Sequence, residues 1–138
     1  MRGLSYLALG SFSNVASELG TVLAARPPFG VVDAPPTGVV TTYQPGSDLS
    51  VRGWVIDTIA VGSVDVEIDG TVVATVPVNQ QRDDVCAIYP AYGGCPSVGF
   101  NAAVSTAGLD GCQHLLRVRA TDGDGNAQVL GERVIEPS

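Results

Sequence analysis

Leu49-Ser50-Val51-Arg52-Gly53-Trp54-Val55-Ile56-Asp57 is the stretch whose reading decides the fold. It holds the single tryptophan of the chain and alternates like a strand. Strand side chains point to opposite faces with period two. If Leu49, Val51 and Val55 face a core, Trp54 and Ile56 face away from it. A large aromatic on the nominal outer face needs a cover, or it is a contact site.

Working outward from this strand, the same period recurs from Phe29 onward. Gly30 to Asp33 reads as a first short strand, ended by Ala34-Pro35-Pro36. Val64, Val66 and Ile68 alternate with Asp65, Glu67 and Asp69, and Asp69-Gly70 is a strong hairpin signal. Thr71 to Val78 returns as the second arm, and Asn79 to Ser97 reads as a long loop. Phe100, Ala102 and Val104 form the next strand. Leu116, Val118 and Ala120 alternate with Arg117, Arg119 and Thr121 before the turn Gly123-Asp124-Gly125-Asn126, and Ala127 to Ile135 closes the sheet. About seven short strands separated by turns predict an all-β, two-sheet antiparallel sandwich.

The N-terminal residues follow a different period. Ala8, Phe12, Val15, Leu19 and Val22 recur at helical spacing between Leu4 and Ala25 and make one apolar stripe. Arg26-Pro27-Pro28 stops it, because the residue before proline avoids the helical region. A helix of this length is marginal alone, so the stripe is expected to dock on something. Two targets stay open: the chain's own sandwich, or another subunit. Signal-peptide features are thin, with Arg2 as the charged region and the apolar run soon broken by Gly10, Ser11 and Ser13. The expected division is a docking arm over residues 1–26 and a sandwich over 27–138.

The chain has 138 residues, one domain's worth. It contains no lysine, and seven arginines against fourteen carboxylates leave a net charge of −7. That balance repels phosphate backbones and anionic lipid surfaces, so nucleic acid is not an expected partner. No apolar run is long enough for a transmembrane helix. Membrane contact through the arm stays open.

Three cysteines are present, Cys86, Cys95 and Cys112. With one histidine and no C-x-x-C pair, a zinc site lacks ligands. Cys86 and Cys95 flank a Pro/Gly-rich loop, which suits a disulfide and an oxidising compartment, extracellular or periplasmic. Cys112 is left over.

Gly-Trp-x-x-Asp at Gly53 to Asp57, followed by Val-x-Val-x-Ile-Asp-Gly at Val64 to Gly70, resembles the bacterial immunoglobulin-like (Big-type) domains. So does His-x-Leu-x-Val-Arg-Ala-Thr-Asp at His114 to Asp122, followed by Gly125-Asn126. Arg82 to Phe100, with Cys86 and Cys95, is similar to a long-loop subgroup carrying that cystine. The resemblance covers about residues 28–136. It implies an immunoglobulin-like sandwich used for adhesion, spacing or docking in secreted and surface proteins. The N-terminal segment is not part of that pattern.

Candidate chemistry is sparse. Cys112 and His114 could form a nucleophilic couple, but a hydrogen-bonding histidine at the start of a strand is the ordinary reading. Asp122, Asp124 and Asn126 have the spacing of a calcium loop, yet glycine-rich turns use the same residues. Asp83 and Asp84 beside Arg82 read as a solvated or arginine-bridged loop. The loop with Tyr89, Pro90, Tyr92 and Pro96 is the best functional candidate. It either forms a lid over Trp54 and Ile56 or presents its rings to a partner. The expected function is a non-catalytic structural or interaction subunit of an extracellular or periplasmic assembly, without cofactor. It would bind a protein partner or itself through Phe12, Val15, Leu19 and Val22. A rival reading is a small-ligand or carbohydrate-binding module using Tyr89, Tyr92 and Trp54.

Overall fold

The computed structural model describes residues 27–58 and 60–138. The predicted arm, with Phe12, Val15, Leu19 and Val22, lies outside them. Eight strands, β1 (Phe29–Ala34), β2 (Thr41–Tyr43), β3 (Asp48–Ile56), β4 (Ser63–Ile68), β5 (Thr71–Pro77), β6 (Gly99–Ser105), β7 (His114–Thr121) and β8 (Ala127–Pro137), form two sheets. Sheet A has the order β1-β3-β6 and sheet B the order β2-β8-β7-β4-β5.

The sandwich expectation holds in outline and is corrected in three details. β2 is an additional strand, and it pairs with β8 in parallel rather than antiparallel fashion. Pro35, Pro36 and the positive φ of Gly38 turn the chain after β1 and hand it from sheet A to sheet B. The long loop contains a helix, α1 (Asp83–Ile88).

Alternation places Val51 and Val55 of β3, Val64, Val66 and Ile68 of β4, Phe100, Ala102 and Val104 of β6, and Leu116, Val118 and Ala120 of β7 in one core between the sheets. Each large side chain so buried contributes about 1.5–3 kcal/mol before ordering costs. Arg133 of β8 is also buried. Its guanidinium donates to the carbonyls of Pro35 (2.8 Å), Val32 (2.9 Å) and Glu132 (2.8 Å), and so ties β1 and the crossover to β8. Burial lowers its pKa.

The outer face of sheet B is ionic. Arg119 donates to Glu67 at 3.0 Å and Arg117 to Glu132 at 2.7 Å, while Thr75 donates to Asp65 at 2.7 Å. The outer face of sheet A is the opposite, since β3 presents Trp54 and Ile56 there.

Candidate interaction site

Trp54 and Ile56 do point away from the main core, as strand parity requires, and they build a second, smaller one. Ile56 is 0 % exposed, and with buried Val85 and Val98 it forms a separate cluster. Packed around it are Phe29, Trp54, Cys86, Tyr89, Tyr92 and Cys95. The register explains the gathering: Phe29 lies opposite Ile56, and Val31 opposite Trp54.

The cover is the loop between β5 and β6. Gln80 and Gly99 exchange two backbone hydrogen bonds, at 2.9 and 2.8 Å, so the loop begins by crossing the end of β6. A side chain at Gly99 could not allow this, because its Cβ would lie 2.9 Å from Gln80 Cβ and 3.0 Å from its carbonyl oxygen. α1 then follows, turning Val85 inward. The Cys86–Cys95 disulfide, with Cα atoms 5.9 Å apart, closes the loop on itself. Gly93 N–H donates to the Asp57 carbonyl at 3.1 Å and pins the far side to the end of β3.

A second clamp is electrostatic. Arg82 donates to Asp84 through Nε at 3.0 Å and Nη2 at 2.9 Å, and through Nη1 to Asp33 of β1 at 2.8 Å. The Asp84 contact, then the Asp33 contact, raise the guanidinium pKa against the opposing effect of burial. Asp84 is held down to about 2. The arginine-bridged reading of this carboxylate pair is thus seen for Asp84, while Asp83 accepts from Gln81 at 2.8 Å.

Four rings meet under the loop. Phe29 packs edge-on against Trp54 (6.3 Å), Tyr89 (5.5 Å) and Tyr92 (5.6 Å), with interplanar angles of 77°, 78° and 85°. Tyr89 and Tyr92 are themselves T-shaped at 5.7 Å. Such contacts add about 0.5–1.5 kcal/mol beyond burial. The rings are ridges, not a flat platform. Beside them a cleft of about 430 Å³ opens, lined by Pro27, Pro28, Phe29, Tyr89, Tyr92 and Gln128. Phe29 was not among the sequence candidates. Its signal was available in principle, since it shares the outward parity of Val31.

Asp122 and Asn126 are brought together, but by each other. Asp122 Oδ1 accepts from the backbone N–H groups of Asp124 and Asn126, both at 2.9 Å, and Oδ2 accepts from Asn126 Nδ2 at 3.3 Å. A bound cation would have to displace these bonds. The Asp122 carboxyl also meets that of Asp57, and the two residues are only 7 % and 3 % exposed. Burial, then the Asp122 contact, raise the Asp57 pKa. Asp122 is lowered; burial opposes this, but its bonds to Asp57, Asn126 and Asp124 prevail. Of the two carboxyls, which lie at the ends of β3 and β7, Asp57 is therefore the one that takes a proton more readily. Sequence reasoning missed this contact.

His114 is occupied structurally. Its Nδ1 lies 2.6 Å from Asp69 and its Nε2 2.9 Å from Asp110. The Asp69 contact raises its pKa. Cys112 precedes β7 as an exposed free thiol.

No family profile matches the chain, and no curated protein matches it either. Solved structures do match. Fibronectin(III)-like modules of Clostridium thermocellum CbhA superpose with a TM-score of 0.52 at 15 % identity, covering 78 % of this chain and 93 % of theirs. CopC from Methylosinus trichosporium OB3b aligns at 12 % identity over 79 % of this chain and 93 % of its own, with a TM-score of 0.40. At such identities the first likeness establishes the fold class alone: an immunoglobulin-like, fibronectin(III)-like β-sandwich.

Proposed function

We propose that this chain is a non-catalytic interaction module of an extracellular or periplasmic assembly, of the Big-type subgroup that its motifs resemble. In this reading residues 1–26 attach it to a protein partner or to another copy, and residues 27–138 form the sandwich it presents. The observation that carries the reading is the loop of residues 78–98. It is held by a disulfide, two backbone clips and an arginine clamp, and it gathers four aromatic rings at one end of the sandwich. A disulfide in so exposed a loop suits an oxidising compartment. Rigid aromatic surface gives contact area at low entropic cost. No helix among the described residues is long and apolar enough to cross a membrane.

Light scattering on size-separated protein tests the attachment. Deletion of residues 1–25 is expected to leave thermal unfolding of the sandwich unchanged and to abolish assembly. Assembly that survives the deletion overturns the role of the arm.

The cleft favours one second reading, a small-ligand or carbohydrate site using Tyr89 and Tyr92 of its lining, with Trp54 packed behind Tyr89. Against a sugar-stacking platform stand the ring angles, 84° between Tyr89 and Tyr92 and a tilt of 39° between Trp54 and Tyr89. Titration of oligosaccharides followed by tryptophan fluorescence separates the two, since a module that only docks protein gives no saturable change.

A further inference from the structure

Pro27 and Pro28, the first described residues, are themselves part of the wall of the cleft beside the four rings. Residues 1–26 therefore join the sandwich at this cleft. Apart from Gln128, its wall is proline and aromatic ring. Phe29, Tyr89 and Tyr92 are each only half-buried, and Tyr92 stands at 85° to Phe29 and 84° to Tyr89. Rings at such angles leave corners, which branched aliphatic side chains fill with more contact than a flat sugar ring makes.

Reach, concentration and charge select what fills the cleft. Val22 lies five residues before Pro27, so its Cα stays within about 18 Å of Pro27 whatever path the chain takes. Leu19 and Leu23 flank it at the i, i+3, i+4 spacing of helix-in-groove anchors. A segment tethered this closely is presented to the cleft at an effective concentration of about a millimolar. A second copy in micromolar solution is about a thousandfold more dilute. Arg2 and Arg26 against Glu18 give residues 1–26 a net charge of +1, whereas five arginines and thirteen carboxylates give residues 27–138 a net −8. Two sandwiches therefore repel, while the arm and its own sandwich attract.

We propose that this cleft is the seat of the chain's own arm. Leu19, Val22 and Leu23, one turn of the expected helix, enter the corners between Phe29, Tyr89 and Tyr92 when no partner holds them. This goes beyond the attachment reading, which leaves open where the stripe sits before a partner takes it. Ordering the arm offsets most of what burying three side chains gains, so seated and free arms exchange. Removing the arm therefore moves the unfolding of the sandwich little. A partner that buries the whole stripe, Phe12 and Val15 included, offers more apolar area and draws it out of the cleft.

Nuclear Overhauser contacts in the full chain test this, measured in an equal mixture of carbon-13-labelled and unlabelled protein. The expected result is contact between the methyl groups of Leu19, Val22 and Leu23 and the rings of Tyr89 and Tyr92, within one chain, and its loss in Val22→Asp. A wild-type chain without these contacts overturns the proposal. So do contacts found only between labelled and unlabelled chains, which would make the cleft a meeting place of two copies, and contacts that persist in Val22→Asp. The attachment reading fails separately. Assembly lost on deleting residues 1–25, in a chain that shows no such contacts, removes the seat and keeps the attachment; contacts within one chain that never assembles keep the seat and remove the attachment.

Discussion

The two apolar clusters of this molecule share strands β1 and β3 and differ in almost everything else. The main core lies between the sheets and is made largely of valine, with Phe100, Leu116 and Ile135, all carried on paired strands. The second lies outside sheet A, gathers four aromatic rings around Ile56, Val85 and Val98, and has the loop that carries α1 as its roof. Side-chain alternation alone assembles the first. The second needs clips: the disulfide, the Asp57–Gly93 bridge and Arg82. Burial inside a sandwich is self-supporting, whereas burial under a loop must first offset the entropy of ordering that loop.

That contrast can be broken most forcefully at Phe100. Phe100→Ala removes a fully buried ring and is expected to cost about 3–5 kcal/mol, seen as one cooperative loss of all structure in denaturant unfolding. An early, separate loss of the aromatic cluster alone would show that the two clusters do not depend on each other in that direction.

Reducing Cys86–Cys95 comes next. The chain-entropy argument puts the loss at about 2.5–3 kcal/mol, concentrated in the loop. Tryptophan emission is expected to shift to the red as Trp54 becomes exposed while far-ultraviolet circular dichroism stays that of a sandwich. Unchanged emission would mean that the rings hold without the staple.

Asp57→Asn sharpens the comparison through pH. A carboxyl with a raised folded pKa binds its proton more tightly in the folded state. Its stabilising contribution is therefore complete below the unfolded value, and it is lost as pH rises through the folded value. Asp122, lowered, acts in the other sense and loses its contribution as pH falls. Asparagine removes the first dependence. The variant is expected to melt no lower than wild type at neutral pH and to lose wild type's relative gain in mildly acidic buffer. Parallel melting curves across that range would exclude a proton held on Asp57.

The smallest effect is expected at Arg82→Gln. Its ion pairs are partly exposed, and such pairs are worth about 0–1 kcal/mol. The loss should show as faster hydrogen exchange in α1 with little change in melting temperature. A drop as large as that of the reduced protein would make the arginine, not the cystine, the main clasp.

Much of this was legible in the residues. Parity along Leu49–Ile56 put Trp54 and Ile56 outside the main core, and Asp69-Gly70 and Gly123–Asn126 marked real hairpins. Cys86 and Cys95 advertised their bond by their closeness. β2 escaped because three residues cannot show a period, and its parallel partner β8 lies far along the chain. α1 escaped for the same reason, having six residues. Phe29 was within reach of parity, as a residue two before Val31, but the Asp57–Asp122 contact needed knowledge of which strand ends meet, and a linear reading does not contain that.

Gly53 has a consequence for how the chain finds its register. A strand with one apolar face is told by water which way to lie, and a slip by one residue is punished at once. β3 is apolar on both faces at its C-terminal half, so water is a poor proofreader there. Gly53 is the better one. An ideal Cβ at this position would collide with the Val31 carbonyl oxygen, and one at Gly30, opposite Val55, would collide with the Trp54 carbonyl oxygen. Slip β3 by one place and Arg52 or Trp54 must occupy a gap that admits no side chain. The two glycines work as a lock and key cut into backbone, rejecting the wrong alignment by collision where hydrophobicity would accept it.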